Sequence, residues 1–241
     1  MNLQKNPPLS LPRRRAALAI AATTGLALVA LSHHPVAIQQ NSVQETLAQI
    51  VALQGMDGLV HGMLIAMLAI LTAGFAVFGA LLGSRRPPVL FALCAYGLGC
   101  CIVVAAMLLD GFAIPQLARQ FVTAPQADAD SARVLIRAVG VVIQVLTKAG
   151  LLAMCAALPA WSYALCSGVK VSRWAFGCAA VGVVAGLLPA VFILFADVRL
   201  APASLMAIFA FHAVWNLAVA AVLYDGQGAQ PSAASAECGV E

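Results

Sequence analysis

The stretch Gln54-Gly-Met-Asp57-Gly-Leu-Val-His61 opens the run that decides the fold. From Gly62 to Gly83 the chain carries no charge, and about twenty such residues cross the hydrocarbon core of a bilayer as a helix. At helical spacing Gln54, Asp57 and His61 fall at i, i+3 and i+7, on one stripe. A carboxylate and an imidazole at the mouth of such a helix are costly against lipid. The stripe is therefore expected to face other helices or water.

Outward from this run, five more of the same character follow or precede it. The expected spans cover residues 16–32, 55–83, 89–112, 132–165, 174–196 and 203–224. Charge and paired prolines in Ser84-Arg85-Arg86-Pro87-Pro88 stop the second span, and Pro159 predicts a late kink in the fourth. Residues 33–53 and 113–131 are polar connections, and 43–53 is expected as a helix lying along the surface. The composition agrees: 63% of the 241 residues are hydrophobic, 9% are charged and the mean hydropathy is +0.97, whereas a soluble domain is about 25% charged. The fold class is all-α, a polytopic membrane bundle of about six transmembrane helices. Residues 1–15 form a cytoplasmic N-terminal segment, 16–224 the membrane domain, and 225–241 a Gly/Ser/Ala-rich tail expected to be disordered and cytoplasmic. Arg13-Arg14-Arg15 before the first run, with Ala30-Leu31-Ser32 after it, also has the form of a cleavable signal. A signal anchor is favoured, because the run is long enough to span.

Six spans place both termini on one side. Lys5, Arg13, Arg14, Arg15, Arg85, Arg86, Lys170 and Arg173 lie there, against Arg119, Arg133, Arg137 and Arg199 opposite. This excess puts the termini in the cytoplasm of an inner (plasma) membrane. The net charge of +4 carries no nucleic-acid signal, since the basic clusters are short and not interleaved with aromatics. The seven cysteines form no Cys-x-x-Cys pair and read as small buried hydrophobes.

Counting depth along each span brings polar residues of four helices to the outer half of the membrane. Asp57 and His61 lie on the second span and Asp110 on the third. On the fourth, Arg137, Gln144 and Lys148 share a stripe, and on the sixth His212 and Asn216 are i, i+4 neighbours. The expectation is one wet pocket built from Asp57, His61, Asp110, Gln144, Lys148, His212 and Asn216, with Lys148 beside Asn216 or His212 and Asp110 beside Arg137. The bland alternative is that polar pairs hold the helices in register. An offset of 87 residues matches Asp110-x4-Pro115 to Asp197-x4-Pro202 and sets Asp57 on Gln144 and His61 on Lys148, the pattern of a repeated hairpin.

The leading functional reading is binding or passage of a small solute, cation or proton at that cluster, in a protein surrounded by lipid and with room for a homo-oligomer. The second is a transition-metal or haem site. It would use His61 and His212 with His33 or His34, and Asp57 as ligand or supporting partner, because imidazole suits copper, zinc and haem iron. The third is a structural or assembly role. His33-His34-Pro35 by itself reads as an exposed turn set by the proline. No nucleophile elbow, P-loop or Rossmann fingerprint occurs. His212-Ala-Val-Trp-Asn216 is similar to the His-x-x-x-His signature on the last helix of alkaline ceramidase-like membrane hydrolases. That resemblance implies a zinc held by histidines with an Asp and a Ser. It spans five residues, and Asn216 stands where the signature has its second histidine, so an enzyme is the less favoured reading.

Overall fold

The computed structural model describes residues 10–35, 40–167, 172–196 and 200–225. Within them the chain forms α1 (Ser10–Ser32), α2 (Val43–Leu82) and α3 (Pro87–Leu108), then a π-helical turn (Leu109–Ala113). α4 (Ile114–Phe121), α5 (Gln126–Cys166), α6 (Arg173–Phe195) and α7 (Pro202–Asp225) complete it, with no strand among the described residues. Six helical stretches are long and apolar enough to cross a membrane: Leu11–Ser32, Val43–Leu82, Pro87–Phe121, Gln126–Cys166, Arg173–Phe195 and Ala203–Asp225. The chain is an all-α multi-pass membrane bundle. Its outer surface carries Leu18, Leu98, Val141, Phe176, Leu187 and Phe195 exposed, as lipid-facing helices require and a water-facing surface does not tolerate in such density.

Two helices run further than the sequence reading placed them. Ser42 caps α2 with its hydroxyl on the Glu45 amide while Glu45 reaches back to the Ser42 amide, a reciprocal capping box. From there nothing stops the helix until Gly83, whose φ of 92° suits only a residue without Cβ. Residues 43–53 are thus continuous with the span rather than a separate surface helix, since Gly55 and Gly58 weaken a helix without breaking it. α5 likewise starts directly after Pro125. At 40 and 41 residues, each is about 60 Å long, twice the hydrocarbon thickness. Their first turns therefore project beyond the apolar layer. α4 lies across them, and Val43, Leu47, Ala118 and Ala129 form a small core of their own there.

The main core joins α1, α2, α3, α5, α6 and α7. α3 and α5 approach at Gly99 and Gly150, where a Cβ on Gly99 would lie 2.6 Å from the Gly150 carbonyl oxygen. Small residues give such close packing in membranes, where dispersion contacts replace the hydrophobic drive between helices. Phe75 stacks on Trp161 at 4.9 Å between ring centres, with Tyr96 5.4 Å from the same indole. α5 continues as helix through Pro159. A proline there leaves the carbonyl four residues earlier, that of Cys155, without its helical partner. Gly186 of α6 fits against that oxygen, since a Cβ would come within 2.5 Å of it.

The Asp197 end of the 87-residue repeat, the basic loop around Lys170, Arg199, Cys238 and the tail from 226 onward lie outside the described residues.

Candidate functional site

Asp57 and His61 stand one turn apart on α2, and the imidazole is held there by its own helix. Nδ1 of His61 lies 2.9 Å from the Asp57 carbonyl oxygen and 3.0 Å from the Asp57 carboxylate. Both neighbours are acceptors, so the Nδ1 position carries the proton and donates to them. That tautomer leaves the Nε2 lone pair facing away from α2. Two groups from other elements converge on it. Nε2 of His34, just beyond the end of α1, lies 3.3 Å away, and a carboxylate oxygen of Asp110 lies 3.5 Å away.

The π-helical turn accounts for Asp110. An extra residue in the turn re-aims the side chains that follow, and such turns recur at functional sites. Here it brings Asp110 toward α2 and packs Gly111 against the imidazole. A Cβ on Gly111 would sit 2.5 Å from Cγ of His61, so only glycine admits the ring. His61 is only 4% exposed, Asp57 17% and Asp110 41%, a gradient from a sealed imidazole to a solvent-reachable carboxylate. The rings of His34 and His61 meet edge to face at 4.8 Å, and Nδ1 of His34 is buried without a hydrogen-bond partner among the described residues. His33 turns the other way, its Nδ1 2.9 Å from the Val29 carbonyl.

The His61 Nε2 lone pair can accept from an Nε2–H of His34, whereas the Asp110 carboxylate oxygen beside it is favourable only with a proton or a metal ion between the two. Ligand atoms of His34, Asp57 and His61 all lie within 4.8 Å of one another. Since Asp57 engages the Nδ1 edge, it is better placed to orient His61 than to share a ligand with Nε2.

No protein-family model, curated protein or solved structure matches this chain. Its own geometry has to carry the functional reading.

The other residues singled out from sequence do not share this cluster. Gln144 clamps the backbone before α7, donating to the Leu200 carbonyl at 3.1 Å and accepting from the Leu200 amide at 2.8 Å. Lys148, one turn further along α5, is half-buried and has no partner among the described residues. Arg137 is exposed and does not pair with Asp110, whose partner is His61. Asn216 donates to Thr24 on α1 at 3.2 Å, and Nε2 of His212 lies 3.5 Å from Sγ of Cys155. Neither residue sits beside Lys148. Instead both line a separate cavity of about 30 Å³ with Leu64, Met67, Met107 and Tyr96.

The single pocket expected from depth counting is thus two centres, one above the other along α2. Leu64 and Met107, which line the cavity, each lie three residues from a member of the His/Asp cluster. A wide groove of about 680 Å³ also borders the cluster, lined by Gln54, Gly58, Gly111, Phe112, Gln116 and Arg119.

Proposed function

We propose that this chain is an inner-membrane protein that binds one divalent transition-metal cation, of the zinc or copper class, between His34 and His61, with the Asp110 carboxylate on the His61 side as the next donor. One observation carries the reading: the two Nε2 atoms lie 3.3 Å apart, one ring on α2 and the other just past the end of α1. Ligands around a tetrahedral zinc, with bonds of about 2.0–2.1 Å, stand about 3.3–3.4 Å from one another. Two imidazoles and a carboxylate are donors that suit zinc and copper(II). Asp57 on the far nitrogen of His61 supplies the carboxylate support that metal-bound histidines commonly have. Asp110 and the groove beside Gly58 and Gly111 offer the access route. A haem is disfavoured, because the two imidazoles are too close to admit a porphyrin plane between them.

The excess of Lys and Arg on the side of the termini supports a cytoplasmic location for both ends, which sets the cluster toward the outer face. Passage of the cation onward would have to displace the packed rings of Phe75, Tyr96 and Trp161, so capture at the outer end is the favoured activity and transport the lesser one.

A second reading has its own observation. His61 has a carboxylate beside each ring nitrogen, Asp57 at 3.0 Å and Asp110 at 3.5 Å, and this arrangement also suits an imidazolium that takes up and releases a proton. Zinc titration of the purified protein by calorimetry separates the two. One equivalent bound by the native chain and lost in His34→Ala supports the metal. Absence of zinc uptake leaves the proton reading and removes the metal one.

A further inference from the structure

At and beside the cavity beneath the cluster lie donors of a different kind. Cys155 of α5 and His212 of α7 are 1% and 4% exposed, and Sγ lies 3.5 Å from Nε2. Three of the chain's seven methionines, Met67 of α2, Met107 of α3 and Met154 of α5, line the same cavity. The thiol meets the imidazole, and the imidazole shares the cavity lining with the thioethers, so four helices supply soft donors around His212. The cavity volume of about 30 Å³ admits a water or two or a bare ion and is too small for an organic ligand.

We infer that Cys155 and His212, with a methionine from the cavity wall, form a second site that takes a monovalent soft cation, copper(I). Softness argues for the metal, since thiolate and thioether ligands select copper(I) among first-row ions. Charge argues for its valence. A thiolate and one positive charge make a neutral unit, whereas a divalent ion would leave a net charge among apolar side chains, at a cost of several kcal/mol. Spacing agrees as well, because 3.5 Å between sulfur and nitrogen is about the separation of two ligands on one tetrahedral ion with a metal–sulfur bond of about 2.3 Å and a metal–nitrogen bond of about 2.0 Å. Binding breaks the Cys155 S–H bond, forms a sulfur–copper bond and releases the proton to water. Copper enters and stays as copper(I), so no electron is transferred. None of the residues of the His34–His61 cluster takes part, and the inference stands or falls separately from the outer site.

The test is competition for copper(I) under reducing, oxygen-free conditions, with a chromophoric copper(I) chelator as indicator and the full chain in detergent. The other cysteines set a background, so the readout is the difference between variants. Cys155→Ser and His212→Gln are each expected to withdraw one equivalent less than the native chain. Loss in Cys155→Ser with full uptake in His212→Gln would show a thiol acting alone and overturn the site, as would unchanged uptake in both. Should either variant fail to fold, X-ray absorption at the copper edge of the native chain loaded with copper(I) decides. Sulfur together with an imidazole in the shell is expected, and a shell without imidazole overturns the inference.

Discussion

Nε2 of His34 lies 3.3 Å from Nε2 of His61, although one residue follows α1, the other lies within α2 and they are 27 positions apart. With Asp57 on the Nδ1 edge of His61, the His61 Nε2 lone pair is left to accept from an Nε2–H of His34, and a metal ion would take the place of that proton. Functional consequences follow from how that meeting is built.

Removal of the support should weaken the site without abolishing it. Asp57→Asn keeps an acceptor beside Nδ1 but loses the carboxylate charge, and zinc affinity is expected to fall about 10–100-fold, the usual effect of a supporting partner. His61→Ala removes a ligand and should eliminate binding. Calorimetry on the two variants distinguishes the roles, since an equal effect would mean that Asp57 is itself a ligand.

Protons compete for the same imidazole lone pairs as a metal. Zinc affinity should therefore fall on acidification and binding should release protons. Titration in buffers of different ionisation enthalpy reads that release directly. A pH-independent affinity would place the metal on other groups.

Gly111 tests the π-helical turn. In Gly111→Ala the added methyl meets the His61 ring at 2.5 Å, so ring or turn must move. We expect a loss of about 1–3 kcal/mol in stability, as overpacking typically gives, together with loss of zinc binding. Thermal unfolding in detergent measures the first. Gly58→Ala serves as the control, since its nearest neighbour would be 3.7 Å away.

Gln144 should prove structural. Gln144→Ala leaves the amide and carbonyl of buried Leu200 without their partner, at a cost of about 1–3 kcal/mol, while zinc binding stays at the native level. A lower unfolding temperature with unchanged calorimetry is the expected pair of results. Loss of zinc binding would return Gln144 to the site.

Much of the fold was legible because six strongly apolar runs of bilayer length leave few alternatives. What composition did not reveal was where the long helices begin. Polar residues such as Gln44, Glu45 and Gln49 on α2 read as a surface connection, yet the Ser42 cap and the absence of proline let the helix run unbroken. The site was legible on one helix only. Spacing put Asp57 and His61 on one face, and both are found together. Depth counting supplies height along a helix but not the direction a side chain faces. It therefore matched Asp110 with Arg137, while the π-helical turn aims Asp110 at His61. The same limit put Gln144, Lys148, His212 and Asn216 into one pocket with them. His34 was the residue most easily missed, since a histidine pair before a proline reads as an exposed turn. Its signal was positional: the end of α1 must lie near the start of the membrane-buried part of α2.

The most direct test is X-ray absorption at the zinc edge on the full chain loaded with one equivalent of zinc. The account predicts a shell of light N/O ligands with the multiple-scattering pattern of two imidazoles, and loss of that two-imidazole pattern in His34→Ala. A sulfur-containing shell, or a spectrum unchanged by that substitution, would contradict a metal held between His34 and His61.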